Sequence, residues 1–397
     1  MTASASILPA PGTICISDLL LSAVRAHGNK TAIAFGEYEV TYSELNAASD
    51  SLAGYLAARG IGRGDTVALH LHNCIEYVTA DLALMKLCAI KVPLNELMAP
   101  EEIDYCLEHS KARALIRHGT LPSPTQVPNT LAVEITLDEM EGSDEKFDQS
   151  WQEAMSFDST GFVRYTPHAA DKAVIAYTGG TTGKPKGVLH SQATLGVNLL
   201  AHVVCGDIRS DEVMLLTTPL PHSAGYHLHA CLLQGGKAVL SQKFSPVTFV
   251  DMAIKHAVTW TFAVPTMIYR LLDHLQTSPT QPPNLRTVLY GAAPMSVERL
   301  EEALSIFGPI FLQIYGQTEC PNFITTLSKT DHLDQSLLTS CGRPVPFLTA
   351  SIVEPDGQEV KPGQIGEVRV HSPYNLISYY NNPQATAETP RRFSLYR

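Results

Sequence analysis

Residues 177–191, YTGGTTGKPKGVLHS, constrain this chain more than any other stretch. Seven of them are Gly or Thr, and two lysines flank Pro185. Such a backbone can approach an anion closely while amides, hydroxyls and ammonium groups point at it, so the stretch reads as a phosphate cradle. The run Lys172 to Tyr177, KAVIAY, reads as a buried strand that delivers the loop to a sheet edge, where α/β proteins place their ligands. A flexible surface turn has no need of three threonines and two lysines among its glycines. The P-loop pattern does not fit: Thr178 stands where that loop wants its first Gly, and Pro185 where it needs Ser or Thr for a magnesium ion.

Composition bounds what surrounds the cradle. With 397 residues, 45% hydrophobic and 17% charged, the chain can build large cores in more than one structural unit. Its net charge of -11 argues against a nucleic-acid or anionic-membrane surface, so a phosphate site has to be a local island of positive charge. The eight cysteines are scattered without a CxxC pair and read as small apolar residues of a reducing compartment. The N-terminus MTASASILPAPG lacks a basic region followed by an apolar one, and no run approaches the roughly 18 apolar residues of a membrane span. A soluble, cytoplasmic protein is expected.

Periodicity gives the organisation. Ser17 is placed to cap a first helix, and Thr41-Tyr42-Ser43-Glu44 is a capping box for a second one whose Leu45, Ala48, Leu52 and Leu56 fall on one face and which ends near Gly60. Short extended runs at 31–35, 66–71, 90–94 and 114–117 alternate with helices, which predicts β-α units and a largely parallel sheet. Gly60, Gly62 and Gly64 follow a helix rather than a strand and read as a turn, not a dinucleotide fingerprint. From 118 to about 170 prolines and then acidic residues mark a connector with a solvated face. A second α/β series follows, with extended runs at 213–217, 237–240, 259–264, 286–290 and 309–315, and after Cys341 the pattern changes to short strands and turns. Three units are expected: an N-terminal α/β subdomain with the acidic connector (1–170), a second α/β subdomain with the phosphate loop (171–340), and a small β subdomain (341–397). The fold class is α/β, with two helix-flanked sheets plus a small β-barrel-like unit.

The decapeptide TGGTTGKPKG resembles the phosphate-binding signature of the adenylate-forming, or AMP-binding, superfamily, which includes acyl-CoA synthetases, luciferases and the adenylation domains of peptide synthetases. The resemblance implies that Thr178, Gly179, Gly180, Thr181, Thr182, Gly183, Lys184 and Gly187 bind nucleotide and that Lys186 is catalytic. Tyr315-Gly316-Gln317-Thr318-Glu319 matches the family's YGxTE motif, whose Tyr stacks on adenine, whose Thr touches phosphate and whose Glu binds magnesium. A phosphate loop without its own metal hydroxyl needs an oxygen ligand from elsewhere, which agrees with Glu319 as the Mg2+ ligand. Gly291-Ala292-Ala293-Pro294 resembles the adenine-facing loop. Pro219 to Gly225 resembles the loop that brings a histidine, here His222, to the acyl pocket. A zinc site at His227, His229 and Cys231 is not expected, since on a helix the three do not share one face.

The same loop bears on the substrate. Peptide-synthetase adenylation domains carry an Asp there to pair an amino group, whereas this chain has His222-Ser223; an unpaired buried ammonium is costly, so a plain fatty or aryl acid is favoured. His222, Gly225, Ala292, Ala293 and Gly316 are expected to line one pocket. Gly342-Arg343-Pro344, Gly363 to Glu367 and Tyr379 to Thr386 resemble further family segments, with departures at Gln192, Phe347 and Ser378. The family continues past the last of these to a ribose-binding Asp and a mobile C-terminal domain with an adenylation lysine. The sequence therefore resembles the large N-terminal domain alone, and impaired turnover is expected.

The implied reaction has a carboxylic acid attack the α-phosphorus of ATP, giving an acyl-adenylate, and a thiol then displace AMP. Coenzyme A is the expected acceptor, and a carrier-protein thiol the alternative. A non-catalytic nucleotide- or acyl-binding module is the rival reading. The oligomeric state stays open, a homodimer being one option.

Overall fold

The computed structural model describes residues 14–137, 150–178, 184–389 and 393–394. The chain opens with α1 (Ile16–Ala26), β1 (Thr31–Phe35), β2 (Tyr38–Thr41) and α2 (Tyr42–Ala58). Next come β3 (Thr66–His70), α3 (Ile75–Leu87), β4 (Ile90–Pro93), α4 (Pro100–Ser110), β5 (Ala114–Arg117) and β6 (Val133–Thr136). After α5 (Ser150–Met155) the hairpin β7 (Lys172–Thr178) and β8 (Lys186–Ser191) leads into α6 (Gln192–Cys205), β9 (Val213–Leu216), α7 (Gly225–Gln234) and β10 (Lys237–Leu240). The second series is α8 (Pro246–Lys255), β11 (Trp260–Ala263), α9 (Pro265–Thr277), β12 (Thr287–Tyr290), α10 (Val297–Phe307), β13 (Phe311–Gln317) and β14 (Cys320–Leu327). The last elements are β15 (Arg343–Pro344), β16 (Thr349–Val353), β17 (Glu367–His371), β18 (Ser378–Tyr379), α11 (Pro383–Glu388) and β19 (Phe393–Ser394).

These strands form three sheets: a nine-stranded one in the order β15-β14-β13-β12-β11-β9-β10-β1-β2, a seven-stranded one in the order β18-β8-β7-β4-β3-β5-β6, and β16-β17-β19. The interior pairs of the two large sheets are parallel, and antiparallel strands close one or both edges. Sheet membership cuts across chain order. The early hairpin β1–β2 joins the strands of residues 213–344, and β18 returns from the C-terminal part to pair with β8.

A single buried cluster fills the space between the large sheets, and α3 and α6 lie within it. Helix α3 packs on β1 of one sheet and on β3 and β4 of the other, so every residue from Tyr77 to Leu87 is buried. A helix buried on all sides has to pair any charge it carries. Lys86 does so with Asp50 Oδ1 (2.7 Å) and Ser49 Oγ (2.8 Å), and Asp81 with Lys91 and His229. Separate apolar clusters cover the outer faces, one under α8, α9 and α10 and one under α4.

Local signals worked where the bonding is local. Thr41 Oγ1 accepts the Glu44 N–H (3.2 Å) while Glu44 Oε2 accepts the Thr41 N–H (2.7 Å), completing the capping box. Ser17, expected as the first helix cap, instead lies inside the first turn of α1 and is fully buried. Its N–H is satisfied from across the chain by Gln192 Oε1 (3.1 Å), a partner no local pattern reveals. β2, β6, β8 and β14 lie outside the extended runs read from the sequence. β6 sits in the expected connector, where VEIT pairs in parallel with β5; β8 is the return strand after the phosphate loop.

Candidate active site

The phosphate signature joins β7 to β8, two antiparallel neighbours. Thr178 pairs with Lys186 and Tyr177 with Gly187 at its base, and Gly179, Gly180, Thr181, Thr182 and Gly183 lie outside the described residues. Thr178 Oγ1 donates to the Lys186 carbonyl (3.4 Å), and the Lys184 ammonium lies 5.3 Å from the Tyr105 ring centre. The Gly187 carbonyl accepts the Tyr380 N–H (2.7 Å), and a Cβ on Gly187 would come within 2.8 Å of Ile175.

A second hairpin meets the first. Gln317 pairs with Cys320, so Thr318 and Glu319 form the two-residue tip between β13 and β14. Three bonds hold that tip. His190 Nε2 donates to the Thr318 carbonyl (2.9 Å), Leu376 N–H donates to the Glu319 carbonyl (2.7 Å), and Tyr379 hydroxyl donates to Glu319 Oε1 (2.7 Å). The Lys186 ammonium lies 5.2 Å from the centre of the same Tyr379 ring. Lys186, Tyr379 and Glu319, from three separate stretches, thus form one cation–ring–carboxylate stack. Burial pushes the His190 imidazole down to about 4, so at neutral pH it is uncharged and its Nε2–H is fixed on the Thr318 carbonyl.

Beside the tip lies a cavity of about 330 Å³ lined by Tyr290, Ala292, Ala293, Pro294, Tyr315 and Gly316, among others. Ala292 adopts a left-handed backbone (φ 68°), a conformation that costs a non-glycine residue energy and gathers at ligand sites. Gly291 sits behind the cavity wall, where a Cβ would come within 2.6 Å of the Ile314 carbonyl. Gln317 Nε2 donates to the Tyr315 hydroxyl (2.9 Å), which fixes the edge of that ring.

His222 occupies a different place. Within the turn Leu220–Ala224 it departs from helical dihedrals (φ -112°, ψ -143°), and its Nε2 accepts from Asn95 Nδ2 (2.6 Å). Protein packed round the ring lowers its pKa although one side is open to solvent. The single pocket expected from His222, Gly225, Ala292, Ala293 and Gly316 is in fact two. His222 and Gly225 line a narrow inner cavity of about 30 Å³, and the other three line the wide one. Asn322 ties the two stretches together. Its backbone packs where a Gly316 Cβ would be, at 2.5 Å, and its Oδ1 accepts from Ser223 Oγ (2.8 Å).

Several residues of the site carried no local signal. Tyr379 lies in the family-like segment 379–386 and His190 in the 177–191 stretch, but neither carries a residue-type signal for its role, and Asn95 and Asn322 lie in no motif. His227, His229 and Cys231 lie on α7, where His227 stacks near Trp260 and Phe262 while His229 turns to Asp81.

The model of the AMP-binding enzyme family matches residues 20–380. The chain is 31% identical over 384 residues to the medium/long-chain-fatty-acid–CoA ligase FadD8 of Mycobacterium tuberculosis, covering 94% of this chain and 66% of that protein. It is 32% identical over 362 residues to the 2-succinylbenzoate–CoA ligase of Bacillus subtilis, covering 90% of this chain and 69% of the other. The fold superposes on the N-terminal domain of FACL13 from Mycobacterium tuberculosis with a TM-score of 0.84 at 23% identity, over 94% of this chain and 93% of that one.

Proposed function

Because the chain belongs to the AMP-binding enzyme family, we propose that it binds ATP and a carboxylic acid and joins the acid to the α-phosphate, the first half of making an acyl-CoA thioester. The ligases it resembles are named for a fatty acid and an aryl acid, which supports a substrate of that broad class and coenzyme A as the acceptor. The observation that carries this reading is the convergence of Lys186 and Glu319 on Tyr379 beside a cavity walled by Tyr315 and Ala292 to Pro294.

The first half-reaction needs no general base. A carboxylic acid with a pKa near about 4 is ionised at neutral pH, and catalysis reduces to positioning and to neutralising charge on phosphate oxygens. Lys186 and the amides and hydroxyls of the 178–187 hairpin supply positive charge and donors at the phosphates, Thr318 reaches them from the opposite tip, and Tyr315 faces the base. Glu319 fits a magnesium ion: one oxygen is held by Tyr379 and the other has no partner among the described residues, leaving a hard, oriented oxygen ligand. A bound Mg2+ would supply further neutralisation of the phosphate charge. Neutral His222, held by Asn95 at the inner cavity, is suited to orient the acid without protonating it.

Acid-dependent exchange of labelled pyrophosphate into ATP, measured alongside calorimetric titration of ATP with and without Mg2+, tests this. ATP binding strengthened by Mg2+, and exchange only when an acid is present, are expected. A chain that binds no adenine nucleotide would end the reading.

A further inference from the structure

The inner cavity behind His222 has an unusual floor. Most of its lining is apolar, with Leu84, Met85, Leu195 and Leu220; Gln192 and Tyr226 add polar groups, and Asp81, Lys91 and His229 form a charged floor. All three are more than nine-tenths buried, at 3%, 8% and 5% exposed. Lys91 Nζ and His229 Nε2 both donate to the same atom, Asp81 Oδ2, at 2.7 and 2.8 Å. Burial alone would raise the Asp81 carboxyl, yet the Lys91 ammonium and the His229 N–H bonded to it hold it below the usual carboxylate range.

Hydrogen-bonding capacity is left over. Lys91 carries three donors and spends one, and His229 Nδ1 is buried without a partner among the described residues. With Nε2 donating to Asp81, a neutral His229 presents Nδ1 as an acceptor. The floor thus offers a donor and an acceptor side by side, anchored on one carboxylate oxygen. Leaving such groups unmet in a low-dielectric interior is costly.

We propose that this cavity receives the acyl part of the substrate and that its floor recognises a terminal hydroxyl, which accepts from Lys91 and donates to His229 Nδ1. The preferred acid is then a short hydroxy acid, aryl or alkyl, with the hydroxyl at the end remote from the reacting carboxylate. A second carboxylate fits less well, because it cannot donate to Nδ1 and would face Asp81. A long alkyl chain would put CH2 groups against the unmet polar atoms of Lys91 and His229. The inference rests on the acid-activation reading and deepens it.

The test uses non-hydrolysable acyl-sulfamoyladenosines in matched pairs: 4-hydroxybenzoyl against benzoyl, and 4-hydroxybutanoyl against butanoyl, with sulfamoyladenosine alone as the nucleotide control. The hydroxylated member of each pair is expected to bind at least tenfold tighter, since a site built to bond a hydroxyl rejects the analogue that lacks it. A paired substitution, Asp81→Leu with Lys91→Met, removes both charges without stranding either one, and should abolish the preference while leaving the control's affinity unchanged. Affinities of the wild-type protein within threefold across each pair would overturn the proposal, whatever the variant does. Failure of sulfamoyladenosine itself to bind would instead remove the nucleotide site, and the hydroxyl floor with it.

Discussion

The Tyr379 hydroxyl donates to Glu319 Oε1 at 2.7 Å while the face of the same ring carries the Lys186 ammonium at 5.2 Å. One side chain therefore sets the spacing between the cation and the carboxylate that the nucleotide reading requires. Its place is fixed by β18, whose Tyr379 pairs with Val188 on the strand that Lys186 begins.

Removing only the hydroxyl isolates that role. Tyr379→Phe keeps the ring under Lys186 and frees Glu319, and a bond to a charged group is worth about 1.5–3 kcal/mol. Mg-ATP affinity is expected to fall by up to roughly ten- to a hundredfold by titration calorimetry, with ATP affinity in the absence of Mg2+ nearly unchanged. An equal loss with and without the metal would mean that Tyr379 does not act through Glu319.

Lys186→Ala removes a charge-assisted donor at the hairpin base, at about 1.5–3 kcal/mol, so ATP should bind roughly ten- to a hundredfold more weakly while adenosine is little affected. Glu319→Gln should leave metal-free binding intact and erase the strengthening by Mg2+. Unchanged ATP affinity in both variants would place the triphosphate elsewhere.

Gly316→Ala tests the packing of Asn322 on Gly316. The added methyl meets the Asn322 backbone at 2.5 Å, and backbone cannot swing aside as a side chain can. Overpacking of this kind costs about 1–3 kcal/mol, read as a lower urea midpoint, and should also weaken nucleotide binding by disturbing the 318–319 tip.

Stability should fall on mild acidification. His190 and His202 are buried and held down to about 4 and about 3, against about 6.5 in an unfolded chain. Below about pH 6.5 the unfolded state binds protons that the folded state refuses, so this stabilisation is complete above that pH and is lost as pH drops towards 4. Urea denaturation at pH 7.5, 6 and 5 should show a steady decline, and His190→Gln should flatten it. A pH-independent midpoint across that range would contradict the assignment of neutral, buried imidazoles.

Thr41→Ala is a control remote from the site. Loss of the capping box should cost about 1 kcal/mol without altering nucleotide affinity.

What could be read from residue order alone divides along the range of the forces involved. Residue order alone yields the α/β class, most strands of the two large sheets, the Thr41 cap and the two motifs at 177–191 and 315–319, because each depends on neighbours a few residues apart: alternating burial, a cap three residues from its donor, glycine where a backbone must come close. The third dimension decided the rest. Ser17 finds its acceptor at Gln192, β1 joins the sheet of a segment roughly 200 residues later, Asn322 ties Gly316 to Ser223, and Asp81 gathers Lys91 and His229 from separate elements. Buried polar groups must be satisfied by whatever the folded chain brings within about 3 Å, and that choice of partner is written in the packing of sheets on helices rather than in any local pattern.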